Sequence, residues 1–271
     1  MQMEVTLQVK NVTIIGSGLM GHGIALKFAQ YNCNVIVYDP NDVSLDSLFE
    51  RIEISLSQME IKKEEIKKII SLINKTNNLE QALEKAEFVI EAAPEKLDLK
   101  QNIFKEIEKL APKDCIFASN TSTLPISELA KASKYPENYI GIHFFSPVEK
   151  MLLVEIIKGE KTGNRAVAKA LDFVRQIKKT PIVVNDARFF YANRCIIPYL
   201  NEGLRMITEG IPPSIIESAA KQLGFPLGPI QLVDETSIEL GAKIARATRA
   251  AMGKSYPCLL YTSDAADEEA W

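Results

Sequence analysis

The sequence predicts an α/β fold: a doubly wound, mostly parallel sheet carrying a helical hairpin insertion, followed by a smaller all-helical domain. Three observations carry this. Short β-branched or apolar runs alternate with segments of helical period from residue 12 to residue 185, the pattern of a parallel sheet buried between two helical layers. The first run ends in a glycine-rich turn that passes straight into helical spacing. From Arg188 onward the strand-like runs vanish, and apolar positions recur only at helical spacing, as in RFFYANRCIIPYLNEGLRMI and SIIESAAKQLG. These mark domains at residues 8–187 and 188–257, with the join at the polar, turn-prone NDAR.

The first element is Val12–Ile15, which stops at glycine; a second run, Asn34–Tyr38, ends at Asp39. Between them GSGLMGHGIALKFAQ places Gly16, Gly18 and Gly21 in the G-x-G-x-x-G pattern, with Leu19, Ile24 and Phe28 at near-helical spacing after them. The first glycine permits a tight turn, the second lets backbone approach a pyrophosphate, and the third lets helix and strand pack closely. The helix N-terminus then faces the phosphates. Asp39, 23 residues after Gly16, stands where a carboxylate accepts from a ribose 2'-hydroxyl and repels a 2'-phosphate, so NAD is the expected cofactor rather than NADP. Leu19 and Met20, inside the turn, join the candidate cofactor contacts, and His22 reads as an occupant of the helix start.

From Asp42 to Ile73 the pattern is helical and highly charged, and it predicts a hairpin projecting from the sheet. Its lysines, Lys62, Lys63, Lys67 and Lys68, sit at helical spacing from Glu64 and Glu65 and read as a solvated, self-paired face. After Ala86 the alternation resumes with EFVIEA, a helix from Glu95 to Leu110, CIFASN, a short ISELAKA helix, YIGIHFF, LLVEII, a helix from Asn164 to Lys178, and TPIVVN. Several of these strands end in polar residues: EAAPE, SNTST, and His143 with Ser146. Ligands of doubly wound sheets gather beyond the carboxyl ends of the strands, so these groups belong to one crevice with the glycine turn. A plainer reading has Ser119–Thr123 only capping the ISELAKA helix.

Composition narrows the partners. Thirty-two Lys and Arg against 35 Asp and Glu give a net charge of −3, which does not suit nucleic acid or a polybasic membrane surface. No apolar run reaches the roughly 18 to 20 residues of a membrane span, and MQMEVTLQVKN lacks signal-peptide blocks, so the cytoplasm is the expected compartment. Cys33, Cys115, Cys195 and Cys258 contain no CxxC pair, which argues against zinc or disulfides and for reduced, buried thiols.

IIGSGLMGHGIA, FVIEAAPEKLDLK, SNTST, GIHFFSPVEKMLLVEII, TPIVVND, NRCIIPYLNEG and GFPLGP together resemble the L-3-hydroxyacyl-CoA dehydrogenases of fatty-acid β-oxidation, over about residues 10–257. SPVEKM and FYANR look most like the dehydrogenase portion of multifunctional enzymes of that pathway. The resemblance implies a Rossmann-type domain and an acyl-CoA substrate, with a homodimer or fused β-oxidation partners for the full-length protein. His143 would be the general base, with Glu155, twelve residues on, orienting its imidazole. It further implies Ser122 near the 3-oxygen and cofactor, Asn193 near the thioester, and Asp39, Glu95 and Lys100 as cofactor contacts. Two departures stand out: Ser146 where many relatives have asparagine on the nicotinamide side, and Arg188-Phe189 where many have Pro-Gly. Residues 258–271 read as a foreign tail, 258–268 resembling translated sequencing-adapter read-through, and relatives carry further helical residues there. Two other readings are a relative acting on a free hydroxy acid or sugar acid, and a catalytically inactive NAD-binding fragment.

Overall fold

The computed structural model describes residues 8–59 and 61–236, with 238, 242 and 246, and among these eight strands form one sheet. The first unit, Met1–Tyr191, runs β1 (Asn11–Ile15), α1 (Leu19–Gln30), β2 (Asn34–Tyr38), α2 (Asp42–Asp46), α3 (Leu48–Ser57), α4 (Lys63–Ser71), β3 (Ile73–Thr76) and α5 (Leu79–Leu83). It continues through β4 (Phe88–Glu91), α6 (Leu97–Leu110), β5 (Ile116–Ser119), α7 (Ile126–Ala130), β6 (Tyr139–Phe144), β7 (Leu153–Lys158), α8 (Asn164–Gln176) and β8 (Thr180–Asn185).

The sheet order is β3-β2-β1-β4-β5-β6-β7-β8. β1 to β6 are mutually parallel, β7 runs against β6, and β8 runs with β7. The chain leaves β1 in one direction through β2 and β3 and returns on its other side through β4, so the winding reverses between β1 and β4. At such a reversal, loops part at the carboxyl edge and leave a crevice. Reversal of β7 brings its amino end to that same edge, and this sets residue 155 beside residue 143.

β4, β5 and β6 are buried at every position, which is why FVIE, IFAS and YIGIHF read as unbroken apolar stretches rather than alternating ones. On one face Phe173 of α8 stacks between Phe28 of α1, at 4.0 Å, and Phe88 of β4, at 4.1 Å. All three rings are fully buried, each contributing roughly 1.5–3 kcal/mol of apolar burial.

Three sequence expectations need correction. The segment 42–73 does not project: Leu48, Ile52 and Leu56 of α3 and Ile69 of α4 are buried in one cluster with Ile24 and Phe28 of α1, so these helices cover the sheet face. Their charged stripe hides an apolar stripe of ordinary helical period. Next, β3 and α5 occupy a stretch where the sequence predicts neither. INKT buries only Ile73 well and exposes Asn74 and Lys75, as an edge strand can, leaving almost no apolar signal. Finally, Cys33 and Cys115 are buried, their thiols pushed up to about 11 and about 12 by burial, but Cys195 is exposed; Cys258 lies outside the described residues, as does the tail 258–271.

The second unit, Ala192–Trp271, holds α9 (Ala192–Thr208), α10 (Pro213–Gln222) and α11 (Pro229–Thr236). A Cβ at Gly203 would stand 2.5 Å from the Pro229 ring, so that glycine lets α9 and α11 meet. Tyr199 stacks on Phe225 at 4.6 Å and donates to the Leu227 carbonyl at 2.8 Å, while Glu217 accepts from the Ile230 and Gln231 amides at the start of α11. Among the described residues no helix is long and apolar enough to cross a membrane.

Candidate active site

Gly16 adopts φ +105°, and a Cβ there would stand 2.8 Å from the Ala92 carbonyl oxygen, across the reversal point. At Gly21 a Cβ would lie 1.9 Å from the Gly16 carbonyl oxygen. Gly18 is different: nothing lies within 4 Å of its Cβ position, and no side chain caps the N-terminus of α1. Two glycines are thus required by the protein's own backbone, and the middle one leaves open space over a helix N-terminus. Amide donors and a positive helix end facing open space suit a pyrophosphate, so these residues fit a dinucleotide. Leu19 is exposed beside this space, whereas Met20 turns toward the core; His22 is buried, its Nδ1 3.1 Å from the Gly18 carbonyl oxygen.

Asp39 closes the turn from the tip of β2. Its Oδ2 accepts from both the amide and the hydroxyl of Ser17 at 2.9 Å, and its Oδ1 accepts from the Asn41 amide at 3.0 Å. Arg51 of α3 reaches back to donate to the Ser17 carbonyl at 2.9 Å. A carboxylate has about four acceptor positions, so one remains for a sugar hydroxyl.

Along the carboxyl edge, a network absent from the sequence reading ties β4 to β5. Glu91, wholly buried, accepts from Lys100 Nζ, from the Ala93 amide and from the Ser119 hydroxyl, each at 2.6 Å. Lys100 is 1% exposed and donates also to the Ala93 carbonyl at 3.0 Å, with Glu95 Oε2 3.4 Å away. Its ammonium is therefore committed to protein carboxylates and carbonyl. Glu95 Oε1 accepts from the Thr121 hydroxyl, the Ser122 amide, and both the amide and hydroxyl of Thr123, at 2.6 to 3.0 Å. Burial pushes the Glu95 carboxyl up, but the Lys100 ammonium and these donors outweigh it and hold it below the usual carboxylate range. Ser119–Thr123 thus does not cap α7. Asp186 does, accepting from the Ile126 and Ser127 amides at 2.8 and 2.7 Å. Ser122 instead stands half-buried on a loop shaped by Glu95.

His143 and Glu155 are direct cross-strand partners on β6 and β7, so their side chains share a face. His143 Nδ1 lies 2.7 Å from Glu155 Oε2; the imidazole is 6% exposed and the carboxylate 0%. The rings of Phe145 and Phe190 flank the imidazole at 4.5 and 6.0 Å. A carboxylate on Nδ1 fixes the tautomer that leaves Nε2 as a proton acceptor and stabilises the imidazolium formed on protonation. Asn120 Oδ1 accepts the Phe144 amide at 2.9 Å, anchoring the strand end. Lys179 donates to the Val148 and Met151 carbonyls and ties down the loop carrying Ser146, itself exposed; burial and Lys27 push this ammonium down to about 8, against Glu149. Gly16, Asp39, Glu95, Ser122, His143 and Glu155 all lie on one edge of one sheet, β1 and β6 being three strand spacings, about 14 Å, apart. Asn193 is the second residue of α9 in the second unit.

Residues 11–187 match the 3-hydroxyacyl-CoA dehydrogenase NAD binding domain, and residues 190–267 match the 3-hydroxyacyl-CoA dehydrogenase C-terminal domain, a match that runs ten residues past position 257. The chain belongs to the 3-hydroxyacyl-CoA dehydrogenase family. It is an NAD-dependent oxidoreductase, and NAD is its cofactor. Similar solved structures include FadB2 of M. tuberculosis, at 29% identity and TM-score 0.88 over 93% of this chain and 90% of that one. (S)-3-hydroxybutyryl-CoA dehydrogenase PaaH1 from Ralstonia eutropha is 30% identical, TM-score 0.85, over 94% and 91%. A 3-hydroxybutyryl-CoA dehydrogenase from Escherichia coli is 29% identical, TM-score 0.84, over 90% of this chain and 53% of that one.

Glu91 enters the sequence reading only as the first residue of EAAPE, a polar strand end without named partners. Its role emerges only once Lys100 is known to fold back on it. The Tyr191 amide, which donates to Glu155 Oε1 at 2.9 Å, has no sequence signature at all, because every residue but proline carries that donor.

Proposed function

We propose that this dehydrogenase oxidises L-3-hydroxyacyl-CoA to 3-ketoacyl-CoA, and catalyses the reverse, in fatty-acid β-oxidation. The observation that carries the reading is the 2.7 Å contact between His143 Nδ1 and Glu155 on adjacent strands at the carboxyl edge. His143 Nε2 takes the proton of the substrate 3-hydroxyl as the C3–H bond breaks. Bound NAD supplies the hydride acceptor. The two electrons leave with the hydride, the oxygen becomes the 3-keto group, and Glu155 stabilises the imidazolium. Gly16, Gly18 and Gly21 with Leu19 and Met20 hold the pyrophosphate side, Asp39 the ribose, and Glu95 with Ser122 and Ser146 the region nearer the nicotinamide. Lys100 contributes by fixing Glu95. Ser122 and Asn193 position the 3-oxygen and the thioester.

Initial rates of NADH oxidation with acetoacetyl-CoA, against those with free 3-keto acids and sugar-derived keto acids at equal concentration, test the substrate class. The CoA ester is expected to have the higher kcat/KM by at least about a hundredfold, since losing remote binding energy lowers kcat as well as raising KM. Equal or better turnover of a free acid would favour the hydroxy-acid reading, and NADH binding without turnover of either would favour a non-catalytic module.

A further inference from the structure

We infer that the backbone N–H of Tyr191, aimed by a left-handed turn at Phe189 and Phe190, is a positioning group for the catalytic dyad and acts through Glu155. The inference rests on His143 and Glu155 being that dyad. Glu155 is 0% exposed, and a buried carboxylate persists only where donors replace its lost water. Its two oxygens are approached from different elements: Oε2 by His143 Nδ1 at 2.7 Å, and Oε1 by the Tyr191 N–H at 2.9 Å. A carboxylate gripped at one oxygen can swing about its terminal torsion; gripped at both, it presents Oε2 to the imidazole in one orientation.

The turn that delivers this second donor is unusual. Phe189 and Phe190 have φ of +69° and +50°, the left-handed region that bulky L side chains rarely adopt. Both rings are nevertheless 2% exposed. Phe190 packs in one core cluster with Ile126, Leu129 and Tyr139, and its amide closes the turn on the Ala187 carbonyl at 3.0 Å. Buried aromatic surface thus holds two consecutive residues in a conformation they would otherwise leave, and the turn's outcome is one N–H directed at the oxygen that His143 does not use. Backbone held off its preferred conformation by surrounding packing is a recurrent way of pre-organising a site. A turn serving only to connect β8 to α9 has no need to end on Glu155.

The test replaces the Tyr191 amide with an ester by incorporating the matching α-hydroxy acid, which removes this donor and keeps the side chain. The substitution is made in the wild-type chain and in Glu155→Gln, with Phe190→Leu made in both backgrounds as a second, genetically encoded perturbation. In the wild-type background the ester is expected to lower kcat for acetoacetyl-CoA reduction by about tenfold, the scale of one hydrogen bond to a charged group, with KM and NADH affinity within about twofold. In the Glu155→Gln background it is expected to change kcat by less than about twofold, because the carboxylate charge through which it acts on the imidazole is gone. Phe190→Leu is expected to show the same pattern with a smaller loss. Equal fractional losses in the two backgrounds, or no loss in the wild type, would overturn the inference and leave the dyad standing. Wild-type kcat in Glu155→Gln alone would overturn the dyad reading and this inference with it.

Discussion

Glu95 gathers four donors on one carboxylate oxygen and faces Lys100 with the other, and that arrangement dictates how its contribution depends on pH. Its folded pKa lies below the ordinary 4.5, so folding favours the ionised form. The stability this confers is fully present above about pH 4.5 and is lost as pH falls through the lowered folded value. We predict that the melting-temperature difference between the wild type and Glu95→Gln is constant from about pH 7 to pH 5 and shrinks steadily below pH 4.5. A difference that grows on acidification would mean that burial, not the donors, governs this carboxyl. Lys100 and Glu91 explain why the site tolerates such charge: each buried charge is matched within 2.6 Å, and neither faces water.

At the scale of elements, the turn between β1 and α1 separates two roles of glycine that look alike in sequence. Gly21→Ala forces a Cβ onto backbone, 1.9 Å from the Gly16 carbonyl oxygen, and neither partner can yield without moving α1 off the sheet. The expected cost is about 3 kcal/mol in urea denaturation, the upper part of the range for overpacking. Gly18→Ala meets nothing, so its urea stability should stay within about 0.5 kcal/mol while NADH affinity falls, because the methyl enters the open space that we assign to the phosphates. The reverse pattern would refute the assignment of these two positions. Such elements are legible because their period and their glycines are local signals. β3 is not, since an edge strand of four residues with Asn74 and Lys75 exposed and only Ile73 well buried is too short to show alternation or an apolar run. The packing of α3 and α4 onto α1 is masked by the charge of IKKEEIKKII, although Leu48, Ile52 and Leu56 already mark the buried stripe.

Over the whole molecule, parallel strands β1 to β6 and the single reversed hairpin into β7 bring residues from 16 to 155 onto one edge. The His143 and Glu155 pairing is readable through the resemblance, which implies both roles; that the two stand opposite one another depends on the antiparallel register of β6 and β7. Spacing does not encode long-range closure. Asp186 capping α7, Glu91 receiving Lys100, and the Tyr191 amide on Glu155 all join segments whose approach depends on the finished sheet. The central claim is that the edge works as one device, with the imidazole at its far end moving the proton. Single-turnover oxidation of enzyme-bound NADH by saturating acetoacetyl-CoA in His143→Ala, with NADH affinity measured on the same preparation, tests it most directly. The rate constant is expected to fall by about two to four orders of magnitude with NADH affinity unchanged within about threefold; a rate within threefold of wild type would contradict the account.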